Sequence, residues 1–176
     1  MTSDDDLVAA AKRGDSEAWR ELYRAHAGRL LLWLETRAAA AGGDSAEDLA
    51  AATWLVAAEK VADFEGSSSD FAGWLFGIAR NHASNARRRA GRRNGVVLHV
   101  DETVPGHESA LVGEAWVRHA LATLPERERD VITCLEVLDL DVAGTAQALG
   151  ISAVAVRVAR HRGLKKLRAL PPPESS

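Results

Sequence analysis

LPERERDVITCLEVLDLDVAGTAQALGISAVAVRVARHRGLKKLRAL, residues 124–170, decides the fold, because its parts fit together in one arrangement. Pro125 suits the first position of a helix, where its missing N–H is not needed. Glu126 and Glu128 follow in the first turn, where acids favour the helix dipole. Val131, Ile132, Leu135 and Leu138 supply an apolar stripe at helical spacing. A break at residues 139–141 leads to a short helix from about Val142 to Leu149, which Gly150 stops. Ser152 can cap the next helix, from about Ala153 to Ala169, and the prolines at 171–173 forbid its continuation. A short helix, a turn carrying a glycine and a longer helix make a helix-turn-helix, whose second helix can lie in the major groove.

The charge of that second helix fits such a use. Arg157, Arg160, Arg162, Lys165, Lys166 and Arg168 fall within twelve residues, and no acid stands between Asp141 and Glu174. These side chains can neutralise phosphates while a few others reach base edges. A basic helix alone is ordinarily a solvated face. The short helix, Gly150 and the Ser152 cap in front of it turn the reading toward DNA.

At 176 residues the chain can hold one domain or two small ones. Eight of its nine aromatic residues lie at or before Phe76, so a larger aromatic N-terminal core and a smaller aliphatic C-terminal one are expected. The net charge of -3 conceals segregation: residues 1–70 carry fourteen acids and seven bases, residues 71–100 six bases and no acid. Cys134, the single cysteine, lies in an apolar stripe and reads as a small buried hydrophobe. The acidic N-terminus and the lack of any membrane-length apolar run lead us to expect a cytoplasmic protein with no membrane insertion.

Along the chain, a first helix is expected to start at Ser3 or Asp4 and to end near Gly14. A second, capped by Asp15 or Ser16, carries Trp19, Leu22, Tyr23, Leu30, Trp33 and Leu34 to about Ala40. Ser45, with Asp48 three residues on, resembles a capping box for a third helix. A polar loop at residues 66–70 precedes a fourth, from about Phe71 through Trp74, Leu75, Ile78 and Ala79 into Arg80, Arg87, Arg88, Arg89, Arg92 and Arg93. By itself this arginine run reads equally as a solvated helix end or the start of a linker, whereas Asn81, His82, Ser84 and Asn85 are polar groups able to face nucleic acid. Helical patterning lapses after Asn94, Pro105-Gly106 is a turn signal, and helix formation resumes at Ser109.

Four motifs taken in order carry a family resemblance. They are SAEDLAAATWLVAAEKVADFEG at 45–66, FAGWLFGIARNHASNARRR at 71–89, LPERERDVI at 124–132 and ALGISAVAVRVARHRGLKKLR at 148–168. With these separations the chain resembles an extracytoplasmic-function sigma factor of the sigma-70 family. The resemblance implies an all-α protein of two small helical domains joined by a flexible linker. Residues 1–93 would form a region 2-like domain, 94–108 the linker, 109–170 a region 4-like helix-turn-helix domain and 171–176 a tail. It implies core RNA polymerase (beta-prime clamp and beta flap) and promoter DNA as partners, and an anti-sigma factor. Asp48, Leu49, Ala52, Thr53, Trp54 and Val56 match the surface that docks on the polymerase. Ser68, Ser69, Phe71, Arg80, Asn81, His82, Asn85, Arg87 and Arg88 match the part that melts and reads the -10 element. Ser152, Arg157, Val158, His161, Arg162 and Lys165 match the -35 recognition helix. The chain departs from the family pattern at Ala51-Ala52, at Gly77 and at Ala159-Arg160. If the usual spacing holds, Val156, Arg160, Gly163 and Leu167 face the domain core, so Arg160 must snorkel or the helix must rotate.

Two other binding functions fit the same residues: a helix-turn-helix regulator that does not join the polymerase, and a sigma-like protein that titrates another factor. An enzyme fits least. The histidines at 26, 82, 99, 107, 119 and 161 are scattered, and no HExxH, CxxC or phosphate-binding GxxxxGK sequence occurs. No cofactor and no metal site are expected. His161 reads as facing DNA, and His26 as lying on a helix surface.

Overall fold

A computed structural model describes residues 4–41, 44–94 and 112–171, and among them every regular element is helical. Four helices form the N-terminal half: α1 (Asp4–Lys12), α2 (Ser16–Ala41), α3 (Ala46–Lys60) with a 3-10 turn (Val61–Asp63), and α4 (Ser68–Asn94). Four more follow: α5 (Val112–Ala122), α6 (Glu126–Ile132) running into a π turn (Thr133–Val137), α7 (Val142–Leu149) and α8 (Ala153–Arg168). Asn94, the expected first residue of the linker, is the last of α4, and residues 95–108 and Ser109 lie outside the described residues.

Local chemistry sets most of these boundaries. Gly14 ends α1 at φ +84°, a left-handed conformation that costs glycine little. The Asp15 carboxylate accepts from the N–H groups of Ala18 and Glu17, which hold its pKa below the ordinary range. Ser45 Oγ accepts from the Asp48 N–H at 3.1 Å, the expected cap of α3. Asp141 caps α7, Gly150 ends it at φ +63°, and Ser152 Oγ accepts from the Ala155 N–H to start α8. The chain turns by 100° between α7 and α8, as a helix-turn-helix requires.

The N-terminal core is aromatic, as the composition leads one to expect. Trp33, Leu30, Leu34, Phe71, Leu75 and Phe76 are fully enclosed, with Trp33 edge-on to Phe76 at 5.7 Å. Phe64, Phe71 and Trp74 form a second ring cluster that fastens the loop before α4, and Lys12 Nζ donates to the Phe64 carbonyl. The C-terminal core is aliphatic: Val131, Ile132, Leu138, Leu149 and Val156 are buried, with Cys134 among them. Burial pushes the Cys134 thiol up to about 12, so it is an inert core residue.

Three expectations need correction. The stripe Val131, Ile132, Leu135, Leu138 assumes a uniform α-helix, but the π turn fits an extra residue into one turn and brings Cys134 inward, leaving Leu135 half-buried. His26 is not a surface residue: it is 8% exposed, its ring 5.6 Å from that of Phe71. The two cores are not separate either, because α4 packs along α7 and one apolar cluster runs through both halves.

His26 gives the fold a pH dependence. Desolvation first, and Arg29 second, lower its pKa from 6.5 to about 4. On acidification the unfolded chain therefore takes up this proton before the folded one does. The stability is present above pH 6.5 and is lost as pH falls through the window down to about 4. At 1.36 kcal/mol per unit the loss is about 3 kcal/mol. Denaturant unfolding of the wild type and of His26→Gln across that window checks this. A wild-type slope no steeper than the variant's rules it out.

Candidate nucleic-acid interface

The outer face of α8 is an exposed basic surface. Val156, Ala159 and Gly163 turn inward, and Gly163 is held small because a Cβ there would lie 2.9 Å from Ile132 Cγ1. That stripe corrects the expected one. Ala159, not Arg160, faces the core. Arg160 is exposed and bonds Glu136 through Nη2 at 2.8 Å and Nε at 2.9 Å. The substitution pattern at 159–160 thus reflects a small rotation of the helix, with no buried guanidinium.

The rotation leaves Arg157, Val158, His161, Arg162 and Lys165 all exposed. Lys166 and Arg160 are tied to Glu128 and Glu136 respectively, whereas Arg157, Arg162 and Lys165 have no acidic partner among the described residues. Charges already paired within the domain neutralise phosphates poorly, so the three without an acidic partner are the ones on this face able to meet a polyanion. Val154, 66% exposed, joins Val158 one turn later as an apolar pair beside the arginines, suited to thymine methyl groups. Val154 was missing from the expected set. Its i, i+4 relation to Val158 is the signal that could have found it. Ser152 Oγ is exposed and already accepts the capping bond, so only its hydroxyl hydrogen is left for a phosphate.

The second candidate surface lies on α4. Asn81, Asn85, Arg87 and Arg88 are exposed and His82 is half-buried, its pKa lowered by desolvation and then by Arg89. Arg87 pairs with Glu126 at 3.2 Å and Arg89 with Asp44 at 2.6 Å. In the loop before α4, Asp70 Oδ2 accepts from Ser67 Oγ and from the Ser67 N–H, which keep its carboxyl below the usual range. Ser68 is half-buried, and the side chain of Ser69 lies outside the described residues. Phe71 is fully buried, so it supports this loop from beneath and offers no face to DNA. Arg80 is half-buried and lies against the turn that follows α7: a Cβ on Gly150 would be 2.8 Å from its Nη1.

The residues expected to dock a polymerase divide in the same way. Leu49 and Thr53 are buried, Thr53 Oγ1 donating to the Leu49 carbonyl, and they hold α3 in place. Asp48 is exposed, and Ala52, Trp54 and Val56 are half-buried. Beside them lie two exposed residues that the sequence reading missed: Leu55, 62% exposed, and Tyr23, whose ring is 5.1 Å from that of Trp54. Leu55 could have been found because it falls off the inward stripe Ala46, Leu49, Thr53, Ala57. Among the described residues no three His, Cys, Asp or Glu side chains gather to hold a metal ion, and no single helix is long and apolar enough to cross a membrane.

Comparison with known proteins matches both halves. Residues 22–93 match the family described as sigma-70 region 2, and residues 114–167 match sigma-70 region 4. The chain is 32% identical to the ECF RNA polymerase sigma factor ShbA of Streptomyces griseus, over 93% of each chain. It is 33% identical to the ECF RNA polymerase sigma factor SigF of Caulobacter vibrioides, over 92% of this chain and 89% of that one. Among solved structures, CnrH in complex with the cytosolic domain of CnrY superposes with a TM-score of 0.63 at 25% identity, covering 94% of this chain and 95% of that one. The sigma factor RpoE in complex with the anti-sigma factor NepR, from Bartonella quintana, gives 0.59 at 25% identity over 79% and 89%.

Proposed function

We propose a mode of action from one premise: the chain belongs to the sigma-70 family of RNA polymerase sigma factors, in its extracytoplasmic-function branch. It is a promoter-specific initiation factor, which binds core RNA polymerase and recognises -10 and -35 promoter elements. The family acts by binding, and RNA synthesis is the polymerase's own chemistry. Residues 1–93 serve as the region 2-like domain, 94–108 as the linker and 109–170 as the region 4-like domain, ahead of a tail at 171–176.

The observation that supports this most is the unpaired basic face of α8 behind a well-capped turn. Arg157 and Arg162 read base edges of the -35 element, with Val154 and Val158 against thymine methyls and Lys165 on phosphate. On α4, Asn81, Asn85, Arg87 and Arg88 receive the melted -10 strand, where stacked and hydrogen-bonded bases offset the cost of opening the duplex. Arg80, half-buried beside Gly150, lies on the same helix. The relatives' complexes support an anti-sigma factor as a regulatory partner.

Docking on the polymerase beta-prime clamp falls to Asp48, Trp54, Val56, Tyr23 and Leu55, with region 4 meeting the beta flap. An exposed leucine buried at an interface contributes about 1.5–3 kcal/mol, and a buried unpaired carboxylate costs more. Leu55→Asp is therefore expected to weaken binding to purified core polymerase by ~30-fold or more, read by fluorescence anisotropy of labelled chain. Wild-type chain that does not bind core at all would favour a regulator that works alone. Leu55→Asp binding as tightly as wild type would remove Leu55 from the docking surface.

A further inference from the structure

Within α8 there are six bases and no acid, so its ion pairs must come from another element. Among the described residues, two bases are held in this way, both by the segment on which α8 packs. Arg160 reaches Glu136 in the π turn, through Nη2 at 2.8 Å and Nε at 2.9 Å, and Lys166 Nζ reaches Glu128 Oε2 on α6 at 2.8 Å. At 3.6 residues per turn, Arg160 and Lys166 fall about 60° to either side of the inward stripe Val156, Ala159 and Gly163. They therefore stand on the two borders between the buried face of the helix and its exposed face. Glu128 is closely confined there: its side chain is 12% exposed, and a Cβ at Gly163 would lie 3.5 Å from Glu128 Cβ.

We propose that Glu128 and Glu136 are positioning residues that set the specificity of the -35 contact: they hold Lys166 and Arg160 on the domain's own surface, keep two cations off the DNA backbone, and so restrain binding to unrelated sequence. This rests on the reading of α8 as the -35 recognition helix. A helix ~10–12 Å across with its side chains fills a major groove ~12 Å wide, so its two borders lie nearest the phosphates of the two strands. Free bases on those borders would grip a duplex of any sequence. Each phosphate neutralised adds to non-specific affinity and steepens its salt dependence by about 0.9 in log–log slope. A promoter is sought among a great excess of other sites, so the ratio of specific to non-specific affinity is what counts. Released bases would lower that ratio. On unrelated DNA the helix is free to shift until both meet phosphate, whereas base contacts hold the specific complex in one register.

The test titrates the full chain, without polymerase, into labelled duplexes over a salt series, read by fluorescence anisotropy. One duplex carries the -35 element and the other a scrambled sequence. Glu128→Gln with Glu136→Gln keeps both side-chain shapes and releases both bases. The double variant is expected to bind the scrambled duplex about ten-fold or more tightly at about 0.1 M salt, with a slope steeper by ~1.8, and to gain less on the -35 duplex. No gain on scrambled DNA, or equal gains on both duplexes, overturns the proposal. If the two acids only brace α8, the variant melts lower and binds both duplexes more weakly, which also overturns it. Adding Arg160→Ala to Glu136→Gln is expected to cancel the gain from Glu136→Gln, because no base is then released there; a gain that survives overturns the mechanism. Asp139→Asn controls for summed charge. Asp139 is exposed at φ +53°, a conformation that asparagine accepts readily, and the change removes the same single charge from the same domain. A gain equal to that of Glu136→Gln would overturn the role of the held pairs. Should Glu128→Gln fail to fold, Glu136→Gln alone carries the test, with a slope steeper by ~0.9. Wild-type chain that binds both duplexes equally would remove the -35 reading of α8, whereas the gain on scrambled DNA still reports whether the acids restrain the bases.

Discussion

Replacing Arg157 and Arg162 together by alanine is expected to weaken holoenzyme binding to a -35-bearing promoter by about 10²–10³-fold. Each guanidinium that reads a guanine edge contributes roughly 1–3 kcal/mol of discrimination, and neither has an acidic partner among the described residues to hold it back. The loss should be specific to sequence. Binding to a scrambled duplex falls far less, and the salt dependence of binding flattens as phosphate contacts disappear. Arg160→Ala is the internal control. Its guanidinium is held by Glu136 on the domain's own surface, so its removal should change promoter affinity by less than about three-fold, in line with the small value of exposed ion pairs. Gel-shift titration at two salt concentrations separates these variants. Equal losses from Arg160→Ala and the double variant would mean that the face of α8 is assigned wrongly.

Trp33→Ala is expected to destabilise the protein more than any surface change. The indole is wholly enclosed, stands edge-on to Phe76, and carries the Arg37 guanidinium 4.0 Å above its ring. Truncating a buried tryptophan costs about 3–5 kcal/mol, a large part of the 5–15 kcal/mol that holds a typical domain. For a chain of this size the melting temperature should fall by ~10 °C or more. Trp33→Phe should recover much of that loss, because it refills the cavity and keeps an edge-to-face pair. The substitution also removes the ring beneath Arg37, whose carboxylate partner is Asp130 on α6. A melting temperature within a few degrees of wild type would show that the core relaxes around the gap.

Much of this architecture is legible in the residues themselves. Gly150, Ser152 and Ser45 act through their own backbone preferences and side-chain oxygens, and each sits where local chemistry puts it. Asp141 could have been read the same way. What could not be read depends on neighbours distant in sequence. His26 looks like a polar residue on an amphipathic helix until Phe71 closes over it. The inward turn of Ala159 in place of Arg160 depends on a rotation of α8 by a fraction of a turn, which periodicity alone does not resolve. The π turn at residues 133–137 breaks the assumption that apolar spacing has one period. Gly77 is a departure in sequence and a contact in space, and only the packing of α7 on α4 shows why a side chain is missing there. On the binding surfaces, residue types were easier to find than exposure: Phe71, Leu49 and Thr53 carry motif signals yet are buried.

Run-off transcription with purified core polymerase from a related bacterium, on genomic promoter fragments, tests the central claim most directly. The account predicts discrete transcripts that depend on the added chain and vanish with the Arg157→Ala, Arg162→Ala double variant. Absence of any chain-dependent transcript with core that is active with another sigma factor would contradict it, as would transcripts that persist in the double variant.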